Sequence, residues 1–580
     1  MSATGGAVLY ESDVPCPAAD GTVLATDLYR PAGGGRHPAV LQRTPYDKRQ
    51  YPLTWPLLDP RKLAAAGYLV AIQDVRGRFG SEGTFVPYLG EAADGEAAVR
   101  WLSEHPACDG TVGMYGMSYM AGVQWLAAGT GVPALRAIAP ATAPFDFHSD
   151  HFYRGGALAL GLLLTFLLAV IEPNRLARRP LGPELPGRLA ELIDDIDRLD
   201  ELAAALPLIP FEPLEKHDAE LAAWLASVVE MDARPGPGSG TPLPARTRSD
   251  AVAVPALQIA GWHDVLLQAD LDRFAEQRAT AATEEARRRS RRVVGPWAHA
   301  AFLNGVGEVD FGVRASGAAL DLRGDLTDLH RRWFDARLRG SDRSIDEEPP
   351  VRIFVMGENR WRDLEAWPPS NTAERRMHLH AGGGLAERAP GPGAPSPFAL
   401  DPENPVRTRG GAVLLPAGYL RGPVEQALRE RHPDVRLFTS DPLERPLLVL
   451  GRVTLEAWVA TSTPDSDVVA RLCDVNPDGR SYNVVDGILR LRFRESLATP
   501  RPMVPGTPVR ISVDLWSTAH RFAAGHRLRL QVCASDFPRF DRCPGTGESS
   551  FAATRIEPQR NVVLHDAEHP SALLLPVAGS

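Results

Sequence analysis

Over its first 145 residues the chain alternates short apolar runs with longer amphipathic ones. The runs AVLQR (39–43) and YLVAIQD (68–74) read as buried strands, and EAADGEAAVRWLSEH (91–105) as a helix with one apolar face. Strand–helix–strand alternation predicts a parallel sheet. Between 146 and about 245 that rhythm disappears, and stretches such as ELIDDIDRLDELAAAL predict helices. The Gly155–Ile171 run, GGALALGLLLTFLLAVI, has no charged residue. Its 17 residues reach only the lower limit for a membrane span, so it reads as a buried helix. A glycine- and proline-rich loop, RPGPGSGTPLP (234–244), closes this insertion. A β-like run resumes at 255, and DLTDLHRRWFDARLRG (325–340) reads as a helix.

From Pro350 the period becomes two. In GILRLRFRE, Leu489, Leu491 and Phe493 fall on one side, and Arg490, Arg492 and Arg494 on the other. VRISVDLW and RLRLQVCAS repeat the pattern, which predicts a half-exposed antiparallel sheet. The stretch 381–405 reads as a long surface loop. The expected fold class is therefore α/β. An α/β domain (1–145 and 246–349) is split by a helical cap (146–245) and followed by a C-terminal β-sandwich (350–580).

Composition narrows the function. The net charge of −9 offers no basic patch for nucleic acid. Five scattered cysteines without a CxxC pair argue against a disulfide framework and for a reducing compartment. The N-terminal segment MSATGGAVLYESDVP lacks a basic stretch followed by an apolar core, so the expected location is cytoplasmic.

Three segments carry the candidate chemistry. Gly116-Met117-Ser118-Tyr119 sits between a strand-like and a helix-like run; Gly261-Trp262-His263-Asp264 and Gly295-Pro296-Trp297-Ala298-His299 each follow an apolar β-like run. Serine, aspartate and histidine in that order are the triad order of α/β-hydrolases. A serine hydroxyl needs an adjacent base, imidazole can take and return its proton, and a carboxylate fixes the imidazole tautomer. Each segment alone has a plainer reading, because a serine at a helix start is often only a cap. Their order and context together favour the catalytic one.

Longer motifs extend this. DGTVLATDLYRP, QRTPYDK, QDVRGRFGSEGTFVP, CDGTVGMYGMSYMAGVQWLAA, AGWHD, GPWAH, FVMGENRWRD and DFPRFDR span nearly the whole chain. They closely resemble the serine-hydrolase family of cocaine esterases, X-prolyl dipeptidyl peptidases and α-amino acid ester hydrolases. The resemblance implies Ser118 as nucleophile, His299 as base and Asp264 as its orienter. It implies an oxyanion hole made by the Tyr46 hydroxyl and the Tyr119 backbone N–H, and a jelly-roll C-terminal domain. One departure is Ala121, where the family usually has glycine; Gly122 follows. The resemblance also places Phe152, Phe166, Leu266, Leu414 and Leu415 at a substrate pocket. That lining is apolar, which favours an uncharged acyl group. Leu53 and Trp55 stand where cocaine-cleaving members have a polar and aromatic pocket stretch, so cocaine itself is not inferred. Leu266 and Leu267 stand where the amino-ester members carry acids. An unpaired ammonium there would be costly to bury, so that subclass and the dipeptidyl peptidases are disfavoured.

The expected function is carboxylic ester hydrolysis through an acyl-enzyme, with a small-molecule ester as partner and a homodimer as the candidate assembly. No cofactor, metal, nucleic acid or membrane partner is expected. Peptidase or amidase activity is the alternative, and a non-catalytic carbohydrate- or protein-binding module a further one. Asp474 to Gly479 opens like a calcium loop, but Val485 stands where a bidentate glutamate is needed, so it reads as a turn. His378 and His380 lack an evident third ligand.

Overall fold

The computed structural model describes residues 6–50, 56–235, 243–244, 246–416 and 418–579. Leu53, Trp55 and most of the 234–244 loop lie outside the described residues.

The βα alternation builds a ten-stranded sheet. Across it run Val8–Pro17, Val23–Pro31, Leu69–Asp74, His37–Thr44, Cys108–Met117, Leu135–Ala141, Leu257–His263, Arg291–Ala298, Val351–Val355 and Arg360–Leu364. The strands from Leu69–Asp74 through Val351–Val355 pair in parallel. Parallel strands are covered on both faces, and Leu69–Asp74, Leu257–His263 and Arg291–Ala298 are buried at every position. Chain order and spatial order agree from Cys108 onward, so the C-terminal ends of three central strands deliver residues 118, 264 and 299 to one edge.

Between Leu135–Ala141 and Leu257–His263 lies the helical insertion, including Leu185–Asp197, Glu212–His217 and Ala219–Val229. The apolar run forms the helical stretch Leu160–Ala177, long and apolar enough by composition to cross a membrane. Two-thirds (67%) of it is buried within the protein. Leu163, Leu164, Leu167, Leu168 and Ile171 join Trp224, Val469, Ile488 and Phe537 in one core. The run is apolar all round because it is sandwiched between the other cap helices and the C-terminal sheet.

The C-terminal region is an eleven-stranded, predominantly antiparallel sheet. Leu447–Thr461 pairs with Val509–Phe522, and Leu455, Ala457, Ile511 and Val513 bury one face. Here the structure differs from sequence expectation twice. The 381–405 stretch contains two short strands, Gly384–Ala386 and Ser396–Leu400. The arginine face of GILRLRFRE is not open to solvent: Arg490 and Arg492 are 1% and 4% exposed. The strand Ser481–Arg490 ends there and Leu491–Phe493 turns as a 3-10 helix. Arg490 makes two bidentate pairs, to Asp467 at 2.9 and 3.0 Å and to Asp541 at 3.0 and 3.0 Å. Asp541 also accepts the N–H of Leu158 in the insertion, and the Arg490 N–H donates to the Gly155 carbonyl. The period of two is real, but its charged face meets paired carboxylates at an internal seam instead of water. Asp474, in the calcium-like turn, accepts hydrogen bonds from His520 and His526.

Candidate active site

Ser118 stands at a tight strand-to-helix turn, between Cys108–Met117 and Tyr119–Ala128, with φ 58° and ψ −125°. That left-handed backbone is strained for a residue with a Cβ, and such strain marks functional turns. Gly116 makes the turn possible. Its φ is 137°, and a Cβ there would lie 2.7 Å from that of Met120. The Ser118 N–H is held by the Ala141 carbonyl at 2.9 Å, and its carbonyl caps the helix by accepting from Ala121 and Gly122. Ala121, the departure from the family pattern, is fully buried in a helix–sheet core.

The other two segments end adjacent parallel strands. Gly261 lets them close: a Cβ there would meet the Trp297 carbonyl at 2.3 Å. Beyond them, Asp264 Oδ2 lies 2.9 Å and Oδ1 3.2 Å from His299 Nδ1, and His299 Nε2 lies 2.9 Å from Ser118 Oγ. Asp264 is fully buried, and its Oδ1 also accepts the Leu266 N–H at 2.8 Å. Three side chains far apart in sequence thus form one hydrogen-bonded line from carboxylate through imidazole to hydroxyl.

Tyr46 follows the strand His37–Thr44, and its N–H is fixed to Thr44 Oγ1 at 3.0 Å. Its hydroxyl is within electrostatic reach of the Ser118 side chain and the Tyr119 backbone N–H. Burial pushes the phenol up to about 12, against the opposing influence of those two groups. It therefore stays a protonated donor at neutral pH. The Tyr119 ring is locked: its hydroxyl donates to Glu91 at 2.8 Å, accepts the Tyr88 N–H at 2.8 Å, and its face stacks on Tyr88 at 4.2 Å. Glu91 is in turn paired with Arg43 at 2.5 Å.

Sequence reasoning missed three participants. Arg421, from the C-terminal region, donates to the His299 carbonyl at 2.6 Å and so braces the histidine loop. Glu91 and Arg43 anchor the elbow from below. None carries a local motif; each is legible only once distant segments meet.

A cavity reaches Val265, the residue after Asp264. Among its walls are Asp150, His151, Arg154, Val265, Leu414 and Trp516, and Leu415 also lines it. Of the five predicted pocket residues, Leu414 and Leu415 face this space. Phe152, Phe166 and Leu266 do not; they are buried in packing, Phe152 edge-on to Trp224 at 5.8 Å. Phe152 and Phe166 are absorbed by the core of the insertion, and Leu266 is buried at the start of the helix Leu267–Thr280. The lining is also less apolar than expected. Burial and the nearby charge of Asp146 push the Asp150 carboxyl up to about 7. Burial lowers Arg154 to about 9, aided by Arg539, and its guanidinium lies 3.4 Å over the Trp516 ring.

Comparison with known proteins follows this geometry. Residues 20–301 match the X-Pro dipeptidyl-peptidase (S15) family, and residues 343–574 the X-Pro dipeptidyl-peptidase C-terminal non-catalytic domain. The chain is 34% identical to the cocaine esterase of Rhodococcus sp. (strain MB1 Bresler) over 98% of both chains. The chain belongs to this family. It is a serine hydrolase of carboxylic esters. Its fold is shared with an aminopeptidase from a marine sediment archaeon (Thaumarchaeota), at TM-score 0.80, 22% identity and coverage of 100% and 98%. It is shared equally with an α-amino acid ester hydrolase, at TM-score 0.78, 24% identity and the same coverage.

Proposed function

We propose that this family member cleaves esters of uncharged acyl groups through an acyl-enzyme on Ser118. The observation that carries the reading is the Ser118 Oγ, 2.9 Å from His299 Nε2, with the Tyr46 hydroxyl and the Tyr119 N–H beside it. Ser118 Oγ attacks the ester carbonyl carbon while its proton passes to His299 Nε2. Asp264 holds the Nδ1–H and stabilises the imidazolium. The carbonyl oxygen becomes an anion and receives hydrogen bonds from Tyr46 and Tyr119. Collapse expels the alcohol, which takes the proton from His299. A water then attacks the acyl carbon, deprotonated by the same imidazole, and the carboxylic acid leaves.

A second reading, aminoacyl esters, is favoured by one observation: Asp150 lines the cavity. Against it stand Leu266 and Leu267, and the cost of ionising Asp150 in a desolvated wall. The acids Glu191 and Asp195 of the cap are committed elsewhere, to Arg188 and to His217. The same reading divides the chain at 145, 245 and 349. It also places the enzyme in the cytoplasm, a setting that suits five free, buried cysteines. A rate survey over p-nitrophenyl esters of graded acyl length, with aminoacyl-proline anilides alongside, tests it. Ester turnover with weak anilide turnover is expected; the reverse would make the protein a peptidase.

A further inference from the structure

The cavity that reaches Val265, the residue after Asp264, is lined by a histidine with nothing to bond. His151 lies in the last turn of a short helix, Phe147–Phe152, whose start is capped by Asp146. Its ring stacks on Phe152 at 4.3 Å and 12° and meets the Tyr88 ring edge-on at 5.8 Å. The imidazole is therefore fixed between two aromatic side chains, one of which supports the elbow. Among the described residues it forms no hydrogen bond. Nδ1 is sealed from solvent without a partner, whereas Nε2 is not sealed, and the residue lines the cavity. Buried polar groups are nearly always satisfied, and an unpaired one calls for an explanation.

The tautomer follows from the same facts. A sealed lone pair is tolerated better than a sealed N–H, so Nδ1 carries the lone pair and Nε2 the proton. His151 then presents a neutral N–H donor to the cavity. Burial, reinforced by the charge that His299 acquires in the reaction, drives its pKa down to about 3. It stays neutral at working pH and does not compete with His299 for the serine proton. A neutral N–H donor facing this space is matched by an acceptor oxygen on an uncharged acyl group.

We infer that His151 is a specificity residue, selecting acyl chains that carry an ether, hydroxyl or carbonyl oxygen where Nε2 meets the cavity. The inference rests on the acyl-enzyme reading above and deepens it. An oxygen placed there satisfies a donor that an all-carbon chain leaves dry. The discrimination is a difference between two substrates, and it persists only while the donor does.

The test is a matched series. kcat/KM is measured for p-nitrophenyl 4-methoxybutanoate against hexanoate, and 3-methoxypropanoate against pentanoate. Each pair exchanges one CH2 for oxygen at nearly constant shape. His151→Phe keeps a stacking ring and removes the donor; His151→Gln restores a donor. In the wild type and in His151→Gln, at least one ether ester should be favoured over its alkyl partner by about five- to tenfold relative to His151→Phe. The comparison is read from the ether-to-alkyl ratio within each enzyme, whatever its overall rate, and no inflection in the pH profile should be lost in the variants. An ether-to-alkyl ratio unchanged by His151→Phe in both pairs would overturn the assignment while leaving ester hydrolysis intact. Loss of all turnover in His151→Phe, with His151→Gln equally dead, would instead make the residue structural and also overturn it. Failure of the wild type to hydrolyse any ester would strike the underlying reading, a separate result.

Discussion

The elbow at Ser118 and the wall from Asp150 to Leu415 belong to one cleft but are held in place differently. The elbow is a backbone device. Gly116, the left-handed Ser118 and the ends of neighbouring parallel strands set the triad distances, and the Glu91–Arg43 pair clamps it from beneath. The wall is a long-range device. Its residues come from the insertion, the loop after Asp264 and the C-terminal region, joined through the Arg490 seam and the core shared by Phe152, Val469 and Ile488. The contrast teaches how one hydrolase fold can support many substrates: the Ser118–His299–Asp264 line is held by the ends of neighbouring strands of one sheet, while the wall depends on how three distant segments dock.

The sharpest way to separate the two is at the nucleophile. Ser118→Ala should lower kcat by about 10⁴- to 10⁶-fold, with the thermal midpoint little changed, because the hydroxyl is only partly buried. Kinetics together with a melting curve check this, and near-normal turnover would remove Ser118 from the reaction. Next comes the oxyanion donor. Tyr46→Phe keeps the ring and should lower kcat by roughly 10²- to 10³-fold with KM nearly constant; an unchanged kcat would locate the donors elsewhere.

The seam should respond in the opposite sense. Arg490→Met leaves Asp467 and Asp541 buried without their cation, which costs on the order of 3–5 kcal/mol. Denaturant unfolding should show that loss, whereas active-site titration of the folded fraction should find turnover largely retained. A variant as stable as wild type would mean that apolar contacts alone hold the wall. The smallest effect is on the wall's charge preference. Phenylacetyl esters should exceed phenylglycyl esters in kcat/KM by about 10- to 100-fold at a pH where the amine is protonated. Parity that vanishes in Asp150→Asn would favour the aminoacyl reading.

The same contrast explains what the sequence disclosed. That Ser118, Asp264 and His299 meet was legible because each sits in a short motif whose glycine has a local job. The place of Tyr46 next to Ser118 was legible only by family resemblance, since nothing around it in the sequence points to that neighbour. Arg421 and His151 were invisible: their roles arise from contacts with segments far away in the chain. Arg490 was misread for a physical reason. A period of two reports that a strand has two unlike faces, but not whether the polar one meets water or paired carboxylates. The helical nature of the 155–171 run was readable from its apolar content, except that Ala157–Leu158 forms a short strand and the helix starts at Leu160; that its aromatic neighbours would be swallowed by packing, leaving Leu414 and Leu415 on the cavity, was not.

The central claim is that Ser118 is the residue that becomes acylated. Treating the folded enzyme with a fluorophosphonate and mapping the adduct by peptide mass spectrometry tests it directly. The account predicts stoichiometric modification of Ser118, abolished in Ser118→Ala and strongly slowed in His299→Ala. An unlabelled enzyme that still hydrolyses esters, or an adduct on any other residue, would contradict it.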